Sequence, residues 1–96
     1  MKIHILQGAR QDLLEGYNFY DRQDAGLGSY FLTSLAADID SLRIYAGIHP
    51  LWWDYHRMLA KRFPFAVYYR HEGKNVYVWA VADCRKNPIS LKKKLP

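Results

Sequence analysis

The apolar positions along the chain change period twice, and each change marks a change of element. Lys2 to Gln7 alternates, with Ile3 and Ile5 on one face and His4 and Leu6 on the other, which predicts a strand ended by Gly8. From Ala9 to about Asp24 the apolar residues fall at Ala9, Leu13, Leu14, Tyr17 and Tyr20, the spacing of one helix face. Asp12 and Glu15 lie in or near its first turns, where negative charge suits the helix dipole. Ala25-Gly26-Leu27-Gly28 interrupts the pattern. A second helix is predicted from about Ser29 to Ala46, with Phe31, Leu35, Ile39, Leu42 and Ala46 as its stripe. Gly47 ends it and Pro50 prevents its resumption.

Beyond Pro50 the period shortens. Ile48 to Tyr55 reads as a loop anchored by Trp52 and Trp53. Three short runs follow, His56–Arg62, Phe63–His71 and Val76–Cys84, and Glu72-Gly73-Lys74-Asn75 between the last two is a hairpin turn signal. Pro64 has no amide to donate, so its strand either starts there or is irregular there. The tail, Ser90 to Pro96, is short and basic and is expected to fray. The order is β-α-α-β-β-β. It predicts one α+β domain over residues 1–96, an antiparallel meander sheet with an N-terminal helical hairpin packed on one face.

Composition supports one packed core. Half of the 96 residues are apolar and 16% are aromatic, which suffices for a single core without disulfides or metals. Cys84 is the only cysteine, so no intrachain disulfide forms and a reducing compartment is the simplest expectation. No apolar run approaches the roughly 20 residues of a membrane span. The start, MKIHILQGARQDLL, does not read as a secretory signal, and the expected location is cytoplasmic.

Charge divides the chain. From Arg57 to Pro96 ten Lys and Arg face two acids, Glu72 and Asp83, a net +8; from Met1 to His56 four bases face seven acids, a net −3. The overall +5 therefore hides a basic half that is predicted sheet, and a basic sheet suggests an anionic partner.

The tract RFPFAVYY (Arg62–Tyr69) and the strand ending AVADCRKNP (Ala80–Pro88) sit in this order with three other pieces. These are DLLEGYNFY (Asp12–Tyr20), GLGSYFLTSL (Gly26–Leu35) and GIHP (Gly47–Pro50). Together they resemble the RelE/ParE toxin superfamily, and most closely its ParE-like, plasmid-stabilisation branch, across nearly the whole chain. The resemblance implies a small toxin of a type II toxin–antitoxin system, bound in a hetero-oligomer by a cognate antitoxin. Its target would be DNA gyrase in the ParE-like case. In the RelE-like case it would be messenger RNA cut on the ribosome. A third possibility is a degenerate, non-toxic module that only binds an antitoxin or corepresses its operon. No cofactor is implied.

RNA cleavage through the 2′-hydroxyl needs a base, cations for the phosphate and an acid for the leaving oxygen. The resemblance places Ala66 where one ribonuclease group has arginine, and Asp83 where a histidine is frequent at the end of the last strand. A carboxyl with an ordinary pKa of about 3.9 is a poor acid near neutrality, and cationic neighbours lower it further. Arg57, Lys61, Asp83 and Arg85 remain the candidates for a catalytic set. Arg57, Lys61, Arg62, Tyr69, Arg85 and Lys86 are the candidates for binding a target or anion. The plainest alternative is that the cations are solvated strand-end charges, with Asp83 bridging Arg85. Tyr68 and Tyr69 must face opposite ways, so at most one lines a site.

Tyr17, Tyr20, Tyr30 and Tyr45 (with Phe19) are more aromatic surface than two short helices can bury under one sheet, and they are candidates for the antitoxin groove. Cys84 reads as strand filler rather than a nucleophile. His49, Asp54 and His56 match no regular metal spacing, and no metal is expected. Lys92, Lys93 and Lys94 suit a phosphate backbone or an acidic surface, or simply keep the terminus soluble.

Overall fold

The computed structural model describes all residues from Met1 to Pro96. Its elements are β1 (Lys2–Ile5), α1 (Gln7–Gln23), α2 (Leu27–Asp40), a single turn α3 (Leu42–Tyr45), β2 (Leu51–Trp52), β3 (Tyr55–Leu59), β4 (Phe65–Glu72), β5 (Asn75–Asp83) and α4 (Pro88–Lys94). One five-stranded sheet has the order β1-β5-β4-β3-β2. The meander from β2 to β5 is antiparallel, and β1 joins its far edge parallel to β5. The α+β fold with a helical hairpin on one face is therefore as expected, on a sheet that is mixed rather than wholly antiparallel.

The hairpin α1–α2 is held by two close approaches that only glycine permits. A Cβ on Gly16 would lie 2.5 Å from the Phe31 ring, and one on Gly28 would lie 2.6 Å from the Tyr17 carbonyl oxygen. Gly26, at φ +92°, turns the chain into α2. Since Gly26 has no side chain to cap the helix, Asp21 of α1 supplies the acceptor, taking the amides of Gly26 at 3.0 Å and Gly28 at 3.2 Å. The helix predicted from about Ser29 to Ala46 is interrupted at Ser41, and its stripe is buried at Phe31, Leu35 and Ile39 of α2 and Leu42 of α3, whereas Leu14 of the predicted first-helix stripe is 52% exposed.

The helix side of the sheet contributes Met58, Phe65, Val67, Tyr69, Val76, Val78 and Val81 to the main core. Strict alternation would send Val81 to the other face from Val78. A bulge restores it: Tyr68 pairs with Ala80 and Tyr69 with Val78, leaving Trp79 as the extra residue. Pro64 precedes β4, and its carbonyl accepts from the Cys84 amide at 2.8 Å, so the proline ends the ladder without breaking it.

Two predicted irregular regions are ordered. The stretch Ile48–Tyr55, expected as loop, contains a hairpin: Trp52 pairs with Tyr55, and both turn residues, Trp53 (φ 52°) and Asp54 (φ 69°), are left-handed as a type I′ turn requires. A tryptophan in that region is strained, and its indole is held against Tyr68 with the two rings within 13° of parallel. The tail does not fray. Asn87 caps α4 by accepting from the Ile89 amide, Pro88 occupies its first turn, and Leu91 and Leu95 pack on the second face of the sheet with Tyr55, Ala66, Tyr68 and Ala80. The Tyr55 hydroxyl also donates to the Pro96 carbonyl at 3.1 Å.

Candidate functional site

The end of β5 leaves an edge that β1 is too short to cover. β1 stops at Ile5, and its last contact with β5 is the Leu6 amide on the Val78 carbonyl. The next inward amide of β5, that of Val81, is taken by the Asp12 carboxylate of α1 at 2.9 Å. This is the work of Asp12, which lies in the second turn of α1 and does not serve the helix dipole. Burial holds its carboxyl above the ordinary carboxylate range, partly offset by the Val81 amide and the charge of Lys94. Asp12→Ala, which strands that amide, is expected to cost about 1–3 kcal/mol. Asp12→Asn, which keeps an oxygen acceptor, should cost clearly less. Thermal midpoints check this, at roughly 4–8 °C per kcal/mol for a domain of this size, and equal losses in the two variants would refute it.

Beside Asp12 the ends of β4 and β5, α1 and α4 enclose a cavity of about 410 Å³. Its lining includes Asp12, Glu15, Arg57, Tyr68, Lys86 and Lys94. Arg57 is fixed from three sides. Its Nε donates to the Tyr68 hydroxyl at 2.9 Å, its Nη2 lies 3.5 Å from Cys84 Sγ, and its guanidinium sits 4.3 Å from the Trp52 ring centre. A guanidinium carries five N–H donors, so most remain free for a ligand.

Asp83 is differently disposed. Arg85 grips both of its oxygens, Nε to Oδ1 at 2.9 Å and Nη2 to Oδ2 at 2.7 Å, and the Arg85 amide adds a third bond at 2.9 Å. These bonds hold the Asp83 carboxyl below the ordinary range and raise the Arg85 guanidinium above its own. Arg85 also reaches the Tyr20 hydroxyl at 3.5 Å, toward the helix side. The cation that lines the cavity from this segment is Lys86.

The candidate residues thus divide. Arg57, Asp83 and Lys86 line one cavity, with Arg85 bound to Asp83 behind it. Lys61 lines a second hollow with Asp38, Ser41, Tyr45 and His49, which Arg57 also borders, and its amide donates to the buried Asp38 carboxylate at 3.1 Å. Arg62 is exposed in the turn between β3 and β4. Tyr69 is fully buried on the helix side, where its hydroxyl meets the Gly47 amide and the His49 ring, so the tyrosine beside Arg57 is Tyr68. Tyr20 is buried in the Phe31–Phe63–Phe65 cluster; Tyr17 is half-buried, and Tyr30 and Tyr45 are about half exposed. Among His, Cys, Asp and Glu, no group of three is placed to hold a metal ion. Asp12 and Tyr68 line the cavity although sequence reasoning gave neither a place in the site, and Lys94, read there only as a tail cation, joins them.

No protein-family model matches the chain, and no curated protein matches it in sequence. A solved structure does match, described as the chromosomal ParDE TA system from P. aeruginosa, with a TM-score of 0.79 over 86% of this chain and 95% of that one. The likeness is one of fold. At 17% identity it extends to architecture and not to individual side chains. No helix is long and apolar enough to cross a membrane.

Proposed function

We propose that the chain is the toxin of a type II toxin–antitoxin module, a cytoplasmic protein neutralised in a hetero-oligomer by a cognate antitoxin, and that it acts ParE-like, by inhibiting DNA gyrase through protein contact. The module reading is supported by the likeness of fold to a chain from a ParDE TA system. The preference for inhibition over RNA cleavage is carried by the state of Asp83. A carboxylate bonded at both oxygens by Arg85, and held ionised, has no proton to give a leaving group at neutral pH. The half-exposed Phe19, Tyr30 and Tyr45 offer aromatic surface to an antitoxin.

One observation favours the second reading, a messenger RNA endonuclease. Arg57 and the Tyr68 hydroxyl form a bonded cation–hydroxyl pair at the cavity. Induced expression separates the two. Filamentation with DNA-damage signalling is expected, and it should be suppressed by co-expressing the adjacent reading frame. Rapid loss of translation with cut transcripts would overturn the gyrase reading, and unimpaired growth would overturn the toxin reading.

A further inference from the structure

One stretch of the sheet has a backbone edge that nothing in the molecule covers. The Ala60 amide donates to the Phe65 carbonyl at 2.8 Å, so His56 and Met58 turn their backbone groups toward β4, and Arg57 and Leu59 turn theirs away from it. On that side the Arg57 amide reaches the Pro50 carbonyl at 2.8 Å, and there the ladder stops. Pro50 has no amide to return to the Arg57 carbonyl. By the register of β2, Ile48 would lie opposite Leu59, but the Ile48 amide is turned back onto the Tyr45 carbonyl at 3.3 Å. The Arg57 carbonyl and both backbone groups of Leu59 are left without a protein partner. Elsewhere the fold closes such gaps with side chains: Asp12 takes the Val81 amide, and Arg10 donates to the Ile5 carbonyl at 2.8 Å.

The second hollow, of about 630 Å³, is bordered by Arg57 and Leu59 and walled by Tyr45, Ile48, Pro50 and Met58. Asp38 also lines it and is only 6% exposed. Its Oδ2 takes the Lys61 amide just past the end of β3, while its Oδ1 has no protein partner and is open to solvent. A backbone N–H, two carbonyls and a carboxylate oxygen therefore stand free along one side of the hollow. An extended peptide backbone answers all of them, because its own donors and acceptors alternate. We infer that the hollow receives an extended segment of a partner protein, which adds a strand to β3 where β2 falls short. The added strand would also cover Ile48 and Leu59, which are 71% and 59% exposed. Its charge follows from the cation left over. The Arg57 guanidinium is engaged by Tyr68 and Trp52, whereas Lys61 is exposed and in no ion pair. The segment is accordingly one in which apolar residues alternate with acidic ones.

The inference goes beyond the proposed function, and its test uses neither growth inhibition nor an antitoxin, so each can fail without the other. The full chain is titrated with the blocked peptide Ac-Glu-Val-Glu-Val-Glu-NH₂ and followed by amide NMR and hydrogen exchange. Saturable binding is expected, with the Leu59 amide shifting and exchanging more slowly in the complex. The same peptide with lysine in place of glutamate should bind about threefold more weakly or worse, the effect of one exposed ion pair and its reversal. A version N-methylated at its three central residues cannot donate to the edge or to Asp38, and should lose about tenfold or more. Lys61→Glu, whose side chain has no bonded partner, should leave the thermal midpoint unchanged and reverse the preference between the acidic and basic peptides. Absence of saturable binding, equal affinity for the N-methylated peptide, or binding that leaves the Leu59 amide untouched would each overturn the inference. Self-association that protects the Leu59 amide without peptide would overturn it too, by giving the edge to a second copy of the chain.

Discussion

Gly28→Ala is expected to remove about 3 kcal/mol of stability, a large part of the roughly 5–15 kcal/mol that holds a typical domain. The added methyl would lie 2.6 Å from the Tyr17 carbonyl oxygen, 2.8 Å from Tyr17 Cδ2 and 2.8 Å from Asp21 Cβ. The first of these is backbone in the middle of α1, so relief requires the two helices to separate rather than one side chain to rotate. Separation also draws Asp21 away from the amides of Gly26 and Gly28, and the start of α2 loses its only side-chain acceptor. Gly73→Asn provides the contrast. Gly73 has φ +60° in the β4–β5 turn, with no atom within 4 Å of an added Cβ, and asparagine tolerates that conformation. Its effect should stay within about 0.5 kcal/mol, as for other open surface sites. Urea midpoints decide the matter: similar losses for the two variants would mean that the helix approach is not tight.

The helical hairpin and the meander were legible because their signals are local. Phe31, Leu35, Ile39 and Leu42 repeat at helical spacing, and Glu72 to Asn75 carries its own turn chemistry. What escaped depends on partners distant in sequence. The parallel pairing of β1 with β5 joins Ile3 to Val76 across the whole chain, and nothing in a four-residue strand specifies it. The Trp53-Asp54 turn lacks the Asn-Gly or Asp-Gly residues that announce a type I′ hairpin, and its left-handed tryptophan is supported by Tyr68 of another strand. α4 is basic enough to read as a solvated tail. Its two leucines find the second face of the sheet only once Tyr55, Ala66 and Ala80 have been brought together.

The site was half legible for the same reason. Charge counting reached Arg57, Asp83 and Lys86, which the fold does gather. It assigned Asp12 to the helix dipole, because no sequence pattern reveals that the Val81 amide would be left without a strand partner. Alternation showed that Tyr68 and Tyr69 face opposite ways but not which faces the helices. That follows from the Val67–Tyr69 pair joining the core under α2. Lys61 lies four residues beyond Arg57, past the end of β3 at Leu59, and its amide is tied to Asp38 in a second hollow that Arg57 also borders, so Arg57 stands between the two.

Tyr69→Phe is expected to cost about 2–3 kcal/mol, because one hydroxyl serves two partners. It accepts from the Gly47 amide at 2.9 Å and is hydrogen-bonded to Nδ1 of His49, and it lies on a side chain with no exposed surface. With the Gly47 amide already on the oxygen, the phenolic hydrogen finds an acceptor when His49 is unprotonated at Nδ1 and Tyr69 keeps its proton. Burial favours both states, lowering the pKa of His49 (with help from His56) and raising that of Tyr69. A protonated His49 would also donate at Nδ1 and leave the phenolic hydrogen without an acceptor. The unfolded chain, by contrast, takes up the His49 proton near pH 6.5. Below that value the unfolded state holds more protons, so stability falls as the pH falls and is regained above it. Wild-type protein should therefore lose more stability between about pH 7.5 and pH 5.5 than His49→Gln does. Urea midpoints at the two pH values read the difference directly. An equal decline in the two proteins would show that His49 is free to protonate in the fold and that the Tyr69 bond does not depend on its neutrality.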